Sequence, residues 1–326
     1  MADVYPWLRG IGFRFDPERV HHLALKGHRA IGRVRRIVPP GAPVEVMGIE
    51  FPNVVGLAAG YDKDAVAWKG LAALGFGHLE IGTVTPQPQP GNPKPRIFRF
   101  PSDEAMVNRM GFPSQGADAV ARRLRRARGR GVVIGVSIGP NGFSDRDQAG
   151  ADYESLVTRF APLADYLAVN VSSPNTEGLR SLEVAAALAP VLARVATARD
   201  AAGRRVPVAV KLSPDIDPTH LDGVAGAIEA AGLDGIIVTN TTTRRPGGVG
   251  EDETGGLSGG PLRDIALGVL ERVRSLTDLP LIASGGIMTP DDARHRLEAG
   301  AALVQLYTGF VYRGPRLVNQ VASLDS

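Results

Sequence analysis

Eight short apolar runs, spread evenly over roughly 250 residues, constrain this chain more than any other feature. They fall at 54–58, 78–82, 132–138, 166–170, 206–212, 235–239, 281–284 and 302–306. Runs this short, with few polar interruptions, read as strands buried on both faces, as in parallel sheets. Most gaps between them carry helical spacing, as at 181–199, 218–231, 262–276 and 290–299. Parallel neighbours need a crossover, and eight strand–helix units closing on themselves make a (β/α)8 TIM barrel. An open doubly wound sheet is the alternative. The even spacing, and the lack of Gly-x-Gly-x-x-Gly after the first run, favour the barrel.

Two segments depart from the alternation. Residues 1–40 read as an N-terminal extension of two amphipathic helices, leaving 41–326 for the barrel. Asp16-Pro17 has the pattern of an N-cap with proline at the first helical position. Val20, Leu23, Ala24, Ala30, Ile31 and Val34 then follow near helical spacing, ahead of Pro39-Pro40-Gly41. These residues hold eight basic and three acidic side chains, a balance of +5 in a chain of net charge +3. Aromatic and apolar residues mixed with arginine fit either helices packed on the barrel or a patch that touches a membrane through residues 1–35. The second departure is the interval 83–130, too long for one crossover. Its "PQPQPGNPKPRIFRF" argues for an ordered, extended insertion after strand two, with 97–100 a strand of a hairpin over the barrel mouth.

Composition removes several functions. The chain of 326 residues has no cysteine, which excludes disulfides, thiolate metal sites and a thiol catalyst in it. No apolar run reaches 18 residues, so no spanning helix is expected, and "MADVYPWLRG" lacks a secretory pattern. Arginines 122, 123, 125, 126, 128 and 130 read as a solvated helix end. No nucleic-acid motif accompanies them, so no nucleic-acid partner is expected.

Barrel active sites lie at the C-terminal ends of the strands. Here those ends carry "AAGYDKD" with Lys63, then Thr83 and Thr85, Ser137, Asn170, Lys211, "TNTTT" at 239–243, "SGGI" at 284–287 and "LYTGF" at 306–310. Gly285-Gly286 and Thr308-Gly309 stand where barrel loops offer backbone N–H groups to a phosphate, although ordinary turn glycine is the other reading. The remaining ends supply amides, hydroxyls and two lysines, with Asp62 the main carboxylate. No His/Asp/Glu cluster has metal-ligand spacing, so no metal site is expected. Only five lysines stand beside 32 arginines, and two of the five are Lys63 and Lys211. Lys211 follows an apolar run where an unpaired ammonium is costly to bury, so an anionic or electron-rich ligand is its expected partner. The set suits a planar, anionic ligand with many acceptors. In "YLAVNVSSPNTEGLRSLE", from residue 166, spacing does not separate the two serines.

At these residues the chain resembles the dihydroorotate dehydrogenase family. The motifs are "GLAAGYDKD", "EIGTVTPQPQPGNPKPRIFR", "NRMGF", "NVSSPNTEGLR", "VKLSPD", "VTNTT", "GGLSGGPL", "SGGI" and "LVQLYTGFVYRGP", and the match runs from about Tyr5 onward. "NVSSPNT" and the N-terminal "YPWLRGIGFRFDPERVHHLAL" resemble the membrane-associated, quinone-reducing class, whose base is a serine. The resemblance implies FMN-dependent oxidation of dihydroorotate to orotate in pyrimidine synthesis. A base takes the C5 proton, hydride passes from C6 to flavin N5, and quinone is the final acceptor.

It also implies roles. Ser173 matches the base, with Thr176 a candidate proton relay and Ser172 a support of the turn. Lys63, Asn108, Arg109, Met110, Gly111, Phe112, Asn170, Asn175, Asn240 and Thr241 match substrate contacts. Ala59, Gly60, Tyr61, Asp62, Lys63, Thr83, Ser137, Asn170, Lys211, Thr239, Gly259, Gly286, Tyr307 and Thr308 match the FMN site. Two positions depart from the family's usual Asn-Ile-Gly-Lys-Asn: Ser137 is shorter, and Pro140 removes a cation and an N–H. FMN binding is expected to survive, weakened. The composition, rich in Ala, Gly and Arg, suggests a GC-rich bacterial genome and hence a monomer at the cytoplasmic face of the inner membrane. The alternatives are a related FMN barrel acting on another pyrimidine, or a diverged barrel that binds FMN or orotate without catalysis.

Overall fold

The computed structural model describes residues 4–34, 40–125, 131–175 and 179–324. Eight parallel strands close into a barrel in sequence order: Val55–Leu57, His78–Val84, Val133–Ile138, Tyr166–Asn170, Val208–Leu212, Gly235–Val238, Leu281–Ser284 and Leu303–Leu306. Each predicted run coincides with one of them, with ends that differ by at most two residues. Every residue of these strands is buried, because helices cover the outside and side chains fill the inside.

The inside is filled from below. A hairpin, Val44–Val46 with Ile49–Phe51, closes the N-terminal end of the barrel, an element the sequence reading missed. Its Val46 and Phe51 pack with Val133, Tyr166, Ala168, Ala209, Ile237, Ile282 and Leu303, contributed by six of the strands. Small residues face large ones in this layer: a Cβ on Gly135 would fall 2.1 Å from Tyr166 Cζ. The apolar plug leaves only the opposite end free to hold polar groups.

That end is roofed by a three-stranded antiparallel sheet. Ile97–Phe100 pairs with Ala105–Asn108, the expected hairpin. A third strand, Gly256–Gly259, joins Ala105–Asn108 from the loop after the sixth barrel strand. One face of the sheet packs Ala105, Val107 and Leu257. The other places Ile97 and Met106 against Met288 and Tyr312.

The extension forms two helices, Tyr5–Gly12 and Pro17–Val34. Asp16 Oδ1 accepts the Arg19 N–H at 2.8 Å, the predicted cap. The second helix crosses the short helix Trp68–Ala72 at close range, since a Cβ on Gly32 would fall 2.5 Å from Gly70 N. Glu18 pairs with Arg96 at 2.8 Å and Lys94 at 3.2 Å, fastening the helix to the insertion. In the first helix, Tyr5 Oη donates to Val311 O at 2.7 Å and Arg9 Nη1 to Tyr312 O at 2.8 Å. One face is thus docked, while Val4, Trp7, Leu8, Ile11, Phe15 and Leu23 stay exposed. The segment packs on the barrel, as one of the two expectations had it, and also presents an apolar surface. Among the described residues no helix is long and apolar enough to cross a membrane. Arg122 and Arg123 end the helix Ala117–Leu124; positions 126–130 of the basic run lie outside the described residues.

Candidate active site

A cavity of about 1140 Å³, counted to its open mouth, lies between the strand ends and the roof. The plug at the other end of the barrel fixes this placement, and the roof sheet covers part of its mouth.

On one wall the strand ends form a chain of hydrogen bonds. Asn170, the last residue of the fourth strand, donates Nδ2 to Thr83 Oγ1 at 2.9 Å. Thr83 Oγ1 meets Ser137 Oγ at 2.9 Å. Asn240 Nδ2 donates to Ser172 Oγ at 3.1 Å and to Asn170 Oδ1 at 3.3 Å. From the roof, Asn108 Oδ1 accepts Asn175 Nδ2 at 3.2 Å. Four asparagines, one ending the fourth strand, two in the loops after the fourth and sixth strands and one on a roof strand, thereby converge on one cavity, which all four line. An amide side chain offers two donors and an acceptor, so such a wall reads a ring bearing both N–H and C=O groups.

The two serines separate here. Ser172 is buried away from the cavity, and its hydroxyl holds Asn240 and Asn170 in place. Ser173 lines the cavity, and its Oγ accepts the Asn175 N–H at 3.3 Å. Thr176, the expected relay, lies outside the described residues.

Lys63 is held at the wall, its Nζ donating to Gly60 O at 2.5 Å. Burial pushes its pKa down to about 8, with Asp64 pulling the other way. Lys211 on the fifth strand lines the floor. Its expected partner was a ligand, but the fold supplies one: Glu80 Oε1 lies 3.6 Å from Nζ. That pairing was invisible in sequence, because Glu80 sits inside an apolar run on another strand.

At the far end, Ser284, Gly285, Gly286 and Ile287 line the cavity beside Thr308 and Gly309. Gly285 and Gly286 have φ of +99° and +72°. A Cβ on Gly286 would fall 2.3 Å from Arg263 Cα, so the turn excludes any side chain. Thr308 opens the helix Thr308–Arg313, whose first N–H groups have no partner within the helix.

Of the residues named in advance, the cavity brings together Lys63, Asn108, Met110, Gly111, Phe112, Asn170, Ser173, Asn175, Asn240 and Thr241. It also gathers Ala59, Gly60, Thr83, Lys211, Thr239, Gly259, Gly286, Tyr307 and Thr308. Four stand elsewhere. The Tyr61 ring packs on His21, Tyr307 and Phe310, beneath the N-terminal helices. Asp62 accepts the N–H groups of Val66 and Ala67, both at 2.8 Å, and so shapes the loop that carries Lys63. Burial raises its pKa to about 6. Arg109 pairs with Glu253 at 2.6 Å. Ser137 lies one layer behind Thr83, so its short side chain meets a threonine rather than the cavity. Sequence reasoning missed Ile97, Met106, Ser258, Leu262, Met288 and Gln305, whose apolar or ordinary surroundings gave no signal. Among the described residues no group of three or more His, Cys, Asp or Glu is arranged to hold a metal.

Fold and site define a (β/α)8-barrel protein with a roofed, amide-lined ligand cavity at the strand ends. A family model for dihydroorotate dehydrogenase matches residues 42–324, and the chain belongs to that family. It is 53% identical to dihydroorotate dehydrogenase (quinone) of Nocardioides sp., over 96% of this chain and 95% of the relative. Identity to the protein of that name from Marinobacter nauticus is 47%, over 97% of each chain. Among solved structures, ligand-free DHODH from Eimeria tenella superposes with a TM-score of 0.87 at 37% identity, covering 94% of this chain and 93% of that one. DHODH from the same organism in complex with ferulenol gives 0.86 at 36%, covering 94% and 90%.

The two serines are expected to respond differently to truncation. Ser172→Ala removes a buried hydroxyl that bonds both Asn240 and Asn170 and should lower unfolding free energy by about 1 kcal/mol or more in a denaturant titration. Ser173→Ala should stay within about 0.5 kcal/mol of the parent, as for sites away from buried networks.

Proposed function

We propose that this protein oxidises dihydroorotate to orotate with FMN as its bound cofactor and passes the electrons to a quinone, at the cytoplasmic face of a membrane. The observation that carries the reading is the convergence of Asn108, Asn170, Asn175, Asn240, Ser173 and Lys63 on one cavity whose other end is built from glycine turns. Membership of the dihydroorotate dehydrogenase family and the names of its relatives support the same reading.

The residues present fit FMN. The turns at Gly285–Gly286 and Thr308–Gly309 suit a phosphate, by their exposed N–H groups and the helix that follows. Lys211 places a cation on the floor, where it favours a flavin ring that gains negative charge. Asn170 and Thr83, bonded to one another, complete that side. The substitution of Ser137 costs no direct contact here, since Thr83 stands between it and the cavity. When bound, FMN supplies the two-electron acceptor that takes hydride from the substrate and is reoxidised by quinone.

The chain's own residues supply the rest. Orotate is a planar cyclic diamide with a carboxylate, which the four asparagines can read on its N–H and C=O edges. Lys63 offsets the carboxylate. Ser173 takes the proton from C5, and the double bond forms as hydride leaves C6. A hydroxyl is a weak base in water, so the enclosed site and the Asn175 N–H on Ser173 Oγ matter to this step. The exposed Trp7, Leu8, Ile11 and Phe15 give the N-terminal helices an apolar face for a bilayer, where quinones reside.

Ser173→Ala should keep the yellow colour and bind orotate, while the rate of flavin bleaching by dihydroorotate without oxygen falls ~10²–10⁴-fold. Unchanged bleaching would remove Ser173 from the role of base. Lys63 is charged below about pH 8, so orotate affinity should hold steady there and fall as pH rises further. Titrations of orotate against the flavin spectrum from pH 6 to 10 check this, and Lys63→Met should flatten the profile. Replacing Trp7 and Leu8 together by serine should weaken binding to phospholipid vesicles and slow turnover with a long-tailed quinone. Flavin reduction by dihydroorotate should be unaffected. Equal loss of both activities would make the helices structural only.

A further inference from the structure

A carboxylate is buried under the cavity floor without reaching the cavity. Glu80 is 1% exposed and does not line it, whereas Lys211 and Gln305, which touch Glu80, do. Glu80 Oε2 accepts Gln305 Nε2 at 2.8 Å and the Tyr166 hydroxyl at 3.2 Å. Oε1 makes no hydrogen bond among the described residues and faces Lys211 Nζ at 3.6 Å. The four side chains come from the second, fourth, fifth and eighth strands, so they meet only because the barrel closes.

The arrangement has an electrostatic consequence. A buried carboxylate needs partners, and three separate strands supply them here. At 3.6 Å the contact with Lys211 is an ion pair and not a hydrogen bond, so the ammonium does not spend an N–H on Glu80. Among the described residues two charged side chains line the cavity, Lys63 and Lys211, and both are cations. Glu80 therefore sets a negative charge directly behind one of them. Burial, followed by Glu80 itself, pushes the Tyr166 pKa well up, so this hydroxyl stays a neutral donor to the carboxylate.

We infer that Glu80 is a positioning residue that tethers Lys211 and offsets part of its charge, and so sets the reduction potential of the flavin above it. The inference rests on the reading of this cavity as an FMN site. Reduced flavin carries more negative charge than oxidised flavin, so a bare ammonium on the floor would favour the reduced form strongly. Such a flavin fills readily from dihydroorotate but empties slowly to quinone. Glu80 holds the balance between these half-reactions, with Tyr166 and Gln305 setting how much of its charge is felt.

Two variants shift that charge in opposite directions. Glu80→Gln keeps the shape and removes the charge, so the midpoint potential of bound FMN should rise. Tyr166→Phe keeps the charge and strips one donor from it, so the potential should fall. The measurement is a spectroelectrochemical titration of the purified FMN-bound protein, beside parent and Glu80→Asp, which should return towards the parent value. The expected effect of Glu80→Gln is tenfold or more in the reduction equilibrium, about 30 mV for a two-electron couple. Stopped-flow should show its flavin reduction retained and its reoxidation by quinone slowed. Loss of packing alone would move both variants in one direction, and that outcome, or no shift in either, overturns the inference. If Glu80→Gln does not fold, the sign of the Tyr166→Phe shift decides. A parent protein that takes up no FMN would overturn the functional reading as well. A yellow parent whose potential neither variant moves overturns this inference alone.

Discussion

Closure of the eight-stranded barrel is the constraint on which everything else depends. A closed parallel barrel has an interior that its own side chains must fill, layer by layer. In this chain the lowest layer is apolar and is sealed by the hairpin carrying Val46 and Phe51. The next layer holds Glu80, Tyr166, Lys211 and Gln305, which bond and pair with one another across the barrel. Only above them does space open for a ligand. The polarity of the interior therefore rises in one direction, and the site lies at the polar end.

The position of each polar group follows from where its strand stops. Asn170 ends the fourth strand, and Thr239 follows the sixth, with Asn240 and Thr241 next to it. Asn170 bonds Thr83 and Asn240 bonds Ser172 and Asn170, so the protein itself ties this part of the asparagine wall together. The first serine is committed to holding that wall, whereas the second faces the cavity.

Much of this was legible in the sequence. Strands buried on both faces leave unbroken apolar runs, and the register of those runs predicted which residues would reach the mouth. Lys63, Lys211, Asn170 and Asn240 arrived where their strand ends placed them, while Ser173, Asn175 and Asn108, which the resemblance alone had singled out, line the same cavity. What stayed hidden depends on contacts between distant segments. The three-residue strands of the plug are too short to show a period, and "GLSG" at 256–259 gains strand character only by pairing with Ala105–Asn108. Tyr61 and Asp62 adjoin Lys63, yet adjacent side chains in an irregular loop point to different jobs: one packs under the helices and the other ties the loop. The resemblance placed both at the cofactor, and the geometry places neither in the cavity lining. Glu80 was unread for a related reason, since a single acid inside an apolar run has no visible partner until the barrel closes.

The roof bears on the order of assembly. Its middle strand pairs on one side with a near neighbour in sequence and on the other with Gly256–Gly259, which follows the sixth barrel strand. Pairing segments so far apart carries a larger loop-closure cost than the local hairpin does. That cost falls once the barrel strands between them have docked and brought the two segments close. A chain whose barrel is still open therefore has parts of a wall, but neither the floor, whose side chains meet only on closure, nor a finished roof. Shelter from water, on which a serine base depends, is then a property of the complete fold and of no smaller part of it.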